Sequence, residues 1–393
     1  MSLTTITPTQ IVSPPSTTGR YYRPELDVLR FLAFLLVFVS HRQELAPIEK
    51  TLHPWSYTLT LMGILGVPVF FLLSAFLITE LLTREQDQTG TIHLKAFYTR
   101  RILRIWPLYF AAFFGLAALT RLIPHVGATT PGSWLAFSLF SGNWYISKYG
   151  WLDAYPANPF WSISVEEQFY IVIPIIALIG RRRGLMTICL TLLVLAYIAS
   201  ALYARHPQPD FSPQWTNSFV QFQFFAVGTL LSLILGGRLP RWHPILRALI
   251  LSTAIGCWLI AFLKLRGAAD NPYPVSPIGS IFWWLFVLAG VLLLFLGFLG
   301  TPAQFLPRFA IYFGRISYGL YIFHAFFLYL VFRIAPSTFI HGTSPHPSHL
   351  HNLLATVIAL GLTLLMAMLS YHAFEKPFLR LKRRFTFVPS RDA

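Results

Sequence analysis

Two ionisable residues, Arg30 and His41, lie eleven residues apart in the first long apolar run of this 393-residue chain. The ten residues between them, Phe31 to Ser40, carry no ionisable side chain. Eleven residues make just over three turns of an α-helix, so both side chains lie on one helix face, about 16 Å apart along the axis. A charge and an imidazole in an apolar helix are energetically costly, which favours a chemical role for the pair.

Two interpretations of this pair are open. In the first, a neutral His41 is the general base toward a hydroxyl group, because imidazole titrates near physiological pH. Arg30 then supplies a fixed positive charge for an anionic substrate or a neighbouring carboxylate. In the second, Arg30 extends to the inner membrane interface and His41 marks the outer end of a helix.

A basic cluster, Arg100, Arg101 and Arg104, begins the third apolar run. Arg100 and Arg104 share a helix face, and Arg101 lies beside them. Three guanidinium groups at a helix end are suited to phosphate, which they bind with paired hydrogen bonds. Ordinary cytoplasmic anchoring of a membrane helix explains the same residues.

An acidic motif opens the fourth apolar run and contains Ser164, Glu166, Glu167 and Tyr170. A serine cap and an acidic first turn account for one of the two glutamates. Helix capping does not account for the other glutamate of the pair. Because the motif and His41 both map to the outer half of the membrane, a carboxylate from it is a candidate to orient the imidazole.

A second histidine, His324, lies near the middle of the ninth apolar run, shortly after Tyr318. It is either hydrogen-bonded inside the bundle or part of the same cavity as His41. The outer loop 335–351 contains four more histidines, but their spacing matches no standard zinc pattern. We therefore predict no metal site.

The elements that position these residues are membrane helices. The chain is 55% hydrophobic and 11% charged, against about 25% charged residues in soluble domains. We predict an all-α, polytopic helix bundle, since crossing a bilayer takes about 20 apolar residues. Segment 131–150 is read as re-entrant or interfacial, with an eleventh span as the alternative. Ten spans are expected at 26–45, 58–82, 101–123, 160–180, 185–204, 217–236, 245–264, 278–299, 312–334 and 352–374.

Charge distribution predicts the orientation of this bundle. With ten crossings and a cytoplasmic N-terminus, 22 of the 30 Lys and Arg residues lie on the inner side, as the positive-inside rule requires. Both termini are therefore predicted to be cytoplasmic. The net charge of +16 does not indicate nucleic acid, because the basic residues lie between apolar runs. Cys189 and Cys257 lie within such runs, so we expect buried, reduced thiols.

Three regions follow from this organisation: a disordered tail at 1–19, a transmembrane domain at 20–378, and a basic cytoplasmic tail at 379–393. Six motifs, in order along the chain, resemble those of acyltransferase family 3, the polytopic membrane O-acyltransferases of bacteria. The residues that carry the resemblance are Leu-Asp-x-Leu-Arg30 with Arg-x10-His41, Phe70 to Thr79, Arg100-Arg101-x-x-Arg104-Ile-x-Pro107, Trp161 to Tyr170, Ile316-Ser-Tyr318-x-x-Tyr321-x-x-His324 and Glu375-x-Pro377.

The resemblance implies an acyl-CoA donor, usually acetyl-CoA, that arrives from the cytoplasm of a bacterial inner-membrane protein. The acceptor would be a hydroxyl of a carbohydrate, a glycolipid or a small molecule, often in the cell envelope. Catalytic roles would carry over onto Arg30, His41, Glu166 and Glu167, and donor binding onto Arg100, Arg101 and Arg104. Substrate or channel contacts are expected from Ser164, Tyr170, Tyr318 and His324.

The chain departs from the family pattern at Val28 and Ala75, where glycine is common, and this adds bulk at points of close approach. It continues only briefly after the last span, so no soluble esterase-like domain is expected. Transfer is expected either directly, with His41 as base, or through an acyl-histidine. The alternative function is a transporter or flippase that uses His41, Glu166 and His324 as a proton relay.

Overall fold

The computed structural model describes residues 22–45, 54–206, 213–265, 276–335 and 349–388. Within these ranges the chain is helical and contains no β-strand. The helices are α1 (Pro24–Leu45), α2 (Pro54–Met62), α3 (Gly66–Thr89), α4 (Leu94–Leu119), α5 (Pro131–Ser138), α6 (Gly142–Tyr149), α7 (Phe160–Ala204), α8 (Pro213–Thr216), α9 (Ser218–Leu235), α10 (Pro244–Ile260), α11 (Pro277–Phe298), α12 (Arg308–Arg315), α13 (Ser317–Tyr329), α14 (His349–Ser370) and α15 (Lys376–Lys382).

Short π-helical segments extend three of these helices, at Ala261–Leu265, Leu330–Ile334 and Tyr371–Glu375. Eight stretches of the described chain are long and apolar enough to cross a membrane. They are Trp55–Thr89, Leu94–Leu119, Tyr155–Ala204, Ser218–Leu235, Pro244–Leu265, Pro277–Phe298, Ser317–Ile334 and Leu350–Phe385. Helix α1 coincides with the first predicted span. It is not one of these eight stretches, because it contains too many charged residues. The all-α, multi-pass architecture predicted from the sequence is confirmed.

Helix α7 contains two of the predicted spans. Its path breaks at Arg181, where φ is 50° and ψ is −147°, outside the helical region. A Cβ built on Gly184 would lie 3.5 Å from the carbonyl oxygen of Ile176. Residues eight apart in a continuous helix are about 12 Å apart along the axis. The chain therefore reverses direction at Arg181, and the stretch is a helical hairpin.

Segment 131–150 forms α5 and α6, two helices of eight residues each. Each is about 12 Å long, far short of the roughly 30 Å hydrocarbon core of a bilayer. Trp134, Trp144 and Trp151 are all partly exposed, as interfacial aromatic residues are. The segment is not an eleventh span, which preserves the even number of crossings on which the predicted orientation depends.

Helix α1 is packed into the bundle against α3, α12 and α13. Its crossing with α12 is very close, because a Cβ on Gly314 would overlap the backbone of Asp27. Only glycine fits at such a crossing. The free thiol of Cys189 is buried as predicted, whereas the free thiol of Cys257 is half-buried. Cys257 differs because α10 lies at the bundle periphery, where its neighbour Ile255 is exposed.

Candidate active site

A cavity of about 610 Å³ opens among α1, α3, α4, α7, α13 and the C-terminal segment. Most of the charged side chains in its lining are basic, and every one of these basic residues belongs to the set predicted to face the cytoplasm. The lining includes the cations Arg23, Arg30, Arg101, Arg104, Arg315, Lys382 and Arg383, and the carboxylates Asp27, Glu166 and Glu375. A cavity of this charge attracts an anionic ligand.

The three neighbouring arginines of α4 have different surroundings. Arg101 and Arg104 line the cavity. Arg100 is buried; its Nη2 donates to Glu85 Oε2 at 2.8 Å and its Nη1 donates to the Phe385 carbonyl at 2.6 Å. Arg100 therefore ties α4 to α3 and to the C-terminal segment. It is not part of the cavity wall.

Arg30 lines the cavity and is paired with Asp27, at 2.7 Å between Nη1 and Oδ1. The Tyr22 hydroxyl donates to the other oxygen of Asp27 at 3.1 Å and accepts from Arg315 Nη2 at 2.9 Å. Arginine is always protonated in proteins, so Arg315 adds a second positive charge here. The network holds two cations at the wall of the cavity.

The acidic motif divides between two environments. Glu166 lines the cavity, and its Oε1 accepts hydrogen bonds from Ser74 Oγ at 2.5 Å and from the Tyr170 hydroxyl. Glu167 is buried and accepts from Trp106 Nε1 at 3.0 Å, away from the cavity lining. Ser164 is also fully buried. Of the two predicted carboxylates, Glu166 is the one in contact with the cavity.

Several hydroxyl groups also line the cavity. Ser162 Oγ and the Tyr321 hydroxyl are 2.6 Å apart, and the ring of Tyr321 packs edge-on against Phe70 at 6.0 Å. Tyr318 also lines the wall, and its hydroxyl donates to the Ile105 carbonyl at 2.8 Å. Of these lining residues, Tyr321 also contacts His324, with 5.4 Å between the two rings.

His41 and His324 are not among the residues that line the cavity, and they are in contact with each other. Their ring centroids are 4.9 Å apart, and His324 Nε2 lies 3.4 Å from His41 Nδ1. His324 is fully buried and its ring lies 5.4 Å from that of Tyr321, whereas His41 is half-buried. The partner of His41 in the structure is therefore a second imidazole, where a carboxylate was expected.

A family model described as an acyltransferase domain, acyltransferase family 3, matches residues 23–372. The chain belongs to this acyltransferase family. The chain is 25% identical to the O-acetyltransferase OatA of Staphylococcus aureus strain MRSA252 over 95% of its own length and 60% of that protein. It is 27% identical to YrhL of Bacillus subtilis strain 168, provisionally named a peptidoglycan O-acetyltransferase, over 91% of this chain and 55% of that one.

This acyltransferase-family chain thus spans somewhat more than half the length of the relatives it matches. No solved structure matches it. The resemblance drawn from six motifs is confirmed by the family match. Five of the motifs fall within the matched residues, and Glu375-x-Pro377 lies just beyond them. The chain is therefore a multi-pass membrane protein of the acyltransferase family.

Three residues of the acyltransferase site were not singled out from the sequence, although each stands in a quoted motif. Ser162 precedes Glu166 by four residues and so shares its helix face. Tyr321 precedes His324 by three residues, and Ser74 faces Glu166 from α3. For Ser162 and Tyr321, the spacing of three or four residues from a predicted site residue was the sequence signal that placed them on the same helix face. Among the described residues there is no cluster suited to a metal ion, while His341 and His346 of the outer loop lie outside the described residues.

Proposed function

We propose that this protein transfers an acyl group, acetyl by analogy with its relatives, from cytoplasmic acyl-CoA to a hydroxyl of a cell-envelope carbohydrate. Family membership supports acyl transfer, and the names of the relatives support an O-acetyl product. The proposed location is the bacterial cytoplasmic membrane. That is the compartment where a cytoplasmic thioester and an envelope acceptor can both reach one bundle.

One observation carries the proposal: a single cavity is lined both by cations and by Tyr321, whose ring lies 5.4 Å from that of His324, the neighbour of His41. Arg101 lines this cavity and is half-buried, and its Nε hydrogen has no partner among the described residues. A buried donor without a partner is unfavourable until a ligand supplies the acceptor. The phosphates of coenzyme A supply such acceptors, and arginine binds phosphate with paired hydrogen bonds.

His41 is the general base in the proposed reaction. The acceptor O–H bond breaks, the proton passes to His41 Nε2, and the oxygen attacks the thioester carbon. The new C–O bond forms as the C–S bond breaks. Coenzyme A leaves as a thiolate and takes the proton back from His41. For this the thioester must pass Ser162 and Tyr321, whose hydroxyl oxygens are 2.6 Å apart.

Two further cavity residues have proposed roles. Arg30, held by Asp27, presents a fixed positive charge to the donor's anionic portion. Glu166, which accepts from Ser74 and Tyr170, organises a hydroxyl cluster at the depth where the pantetheine arm would lie. Arg104 joins Arg101 in donor binding. Arg100 and Glu167, which contact other parts of the protein, have structural roles in this proposal.

The test is a His41→Gln variant assayed in a deletion strain and as purified protein in lipid nanodiscs. We expect base-labile acetate in the envelope polysaccharide to fall to background, with membrane abundance unchanged. Loss of a general base reduces kcat by about 10²- to 10⁴-fold. His372→Gln is the matched control, since His372 is exposed and bonds only Tyr312 among the contacts described. Full acetylation by His41→Gln would exclude this mechanism, and changed substrate export with normal acetylation would favour a transporter.

A further inference from the structure

The two imidazoles come from helices far apart in the chain, His41 from α1 and His324 from α13. Their planes are inclined by 71°, so that Nε2 of His324 is directed at the Nδ1 edge of His41 at 3.4 Å. This arrangement is an edge contact between ring nitrogens. Its meaning depends on which nitrogens carry hydrogen.

Backbone carbonyls identify the protonated nitrogens. His41 Nδ1 lies 2.9 Å from the Val37 carbonyl oxygen, and His324 Nδ1 lies 2.6 Å from the Tyr321 carbonyl oxygen. A carbonyl oxygen only accepts hydrogen bonds, so each Nδ1 must be the donor. A neutral imidazole has one N–H, so Nε2 of each ring then carries a lone pair.

This assignment makes the contact between the rings favourable. The lone pair on His324 Nε2 faces the N–H of His41 Nδ1. This N–H therefore has two acceptors, His324 Nε2 and the Val37 carbonyl oxygen. A second proton on His324 would place two donors against each other. His324 is also fully buried, where an added charge is costly. The contact between the two rings is therefore favourable only when His41 Nδ1 donates a hydrogen bond and His324 Nε2 accepts it.

We propose that His324 is a positioning residue that, together with the Val37 carbonyl, keeps His41 in the tautomer whose Nε2 is free to accept a proton. This inference rests on the proposed function, in which His41 is the base. When Nε2 of His41 takes the acceptor's proton, its Nδ1–H still donates to His324. The neutral ring thus orients the base and stabilises the imidazolium, as the third group of a catalytic triad does.

The packing around the pair supports a fixed geometry. The Tyr155 hydroxyl donates to the backbone carbonyl of His41 at 2.8 Å and so anchors the end of α1. Phe34 packs edge-on against His324 at 6.2 Å, and Tyr321 lies on its other side at 5.4 Å. A ring enclosed in this way has little freedom to rotate, so its lone pair stays directed at His41.

The kinetic test compares His324→Leu, His324→Gln and the control His372→Gln in nanodiscs, with acetyl-CoA as donor and release of the coenzyme thiol as readout. Leucine fills the site without an acceptor, so we expect kcat to fall by about 10- to 100-fold and KM for acetyl-CoA to stay within about twofold. Glutamine places an oxygen near the position of Nε2 and should restore at least part of this loss. Equal kcat for the leucine variant and the wild type would overturn the inference.

A spectroscopic test reads the tautomer of His41 directly, without an activity assay. The His41 signal of ¹⁵N-histidine-labelled wild-type protein is assigned by difference from His41→Gln. We expect shifts of a protonated Nδ1 and an unprotonated Nε2 in the wild type. In His324→Leu we expect a displaced Nδ1 shift, because only the Val37 carbonyl still accepts from Nδ1. A wild-type signal from the Nε2–H tautomer would overturn the inference. If His41→Gln is inactive while His324→Leu is fully active, the inference fails and the proposed function stands; if His41→Gln is active, the proposed function itself fails.

Discussion

Replacing Arg101 with glutamine is expected to weaken acyl-CoA binding without reducing the amount of folded protein. Arg101 lines the cavity, and its guanidinium lies 5.5 Å from the Tyr170 ring centroid and 5.7 Å from that of Phe97. These aromatic contacts hold the side chain at the wall without neutralising its charge. Loss of the charge therefore removes a phosphate contact and leaves the packing of the bundle largely in place.

The magnitude follows from the surroundings of the side chain. A hydrogen bond to a charged group contributes about 1.5–3 kcal/mol. Arg101 is half-buried in a cavity that solvent reaches, so we take the lower end of that range. A loss of about 1.4 kcal/mol corresponds to a tenfold rise in KM for acetyl-CoA. The kcat should stay near the wild-type value, because Arg101 does not contact the histidine pair.

Arg100→Gln is the matched comparison one residue away. Arg100 is buried and paired with Glu85, whose side chain is 2% exposed. Removing one partner of a buried ion pair costs about 3–5 kcal/mol. We therefore expect low abundance and a lowered melting temperature for Arg100→Gln, measured by fluorescence-detected size-exclusion chromatography. Whatever protein remains folded should bind acetyl-CoA with a wild-type KM.

The reverse result would refute this reasoning. If Arg101→Gln leaves KM unchanged at low salt, the cavity is not the donor site. If Arg100→Gln is well folded but binds acetyl-CoA poorly, it is wrong to assign Arg100 to the stability of the fold and Arg101 to donor binding. The salt dependence of KM gives a second check, since exposed charge contacts weaken as ionic strength rises.

Two further predictions concern the packing of glycines in the helices and the role of Tyr321 in the cavity wall. Gly314→Ala should destabilise the protein by about 3 kcal/mol, because its Cβ would overlap the backbone of Asp27. Gly361→Ala, with open space around its Cβ, should be neutral or slightly stabilising, and thermal unfolding compares the two. Tyr321→Ala removes the ring between the cavity and the histidines, so acetyl-CoA hydrolysis by water should rise relative to transfer. An unchanged ratio of free acetate to esterified acetate would count against Tyr321 as a barrier.

Much of the fold was predictable from local patterns. The apolar runs placed the membrane helices, and basic residues such as Arg181 to Arg183 marked the turns between them. The hairpin within α7 lies where the predicted fourth and fifth spans meet. Segment 131–150 stayed ambiguous, because an aromatic, moderately apolar run fits both an interface and a short span. Its division into α5 and α6 depends on contacts with α7 and α8 that hydropathy does not encode.

The site was predictable to the level of motifs but not of individual side chains. Arg100, Arg101 and Arg104 carry the same charge within five residues, yet one of them binds Glu85 and the other two line the cavity. Glu166 and Glu167 are adjacent, yet consecutive helix positions point about 100° apart. Which of them met the cavity depended on the rotation of α7 against α3 and α4.

The sequence by itself determined the helices, the spacing of Arg30 and His41 on one face of α1, and the membership of an acyltransferase family. These properties depend on residues near each other in the chain, for which helical periodicity and hydropathy are sufficient. Only the tertiary structure decided that His324, 283 positions further along the chain, meets His41. Such a contact arises from the packing of α13 against α1, which depends on side-chain shapes throughout the bundle.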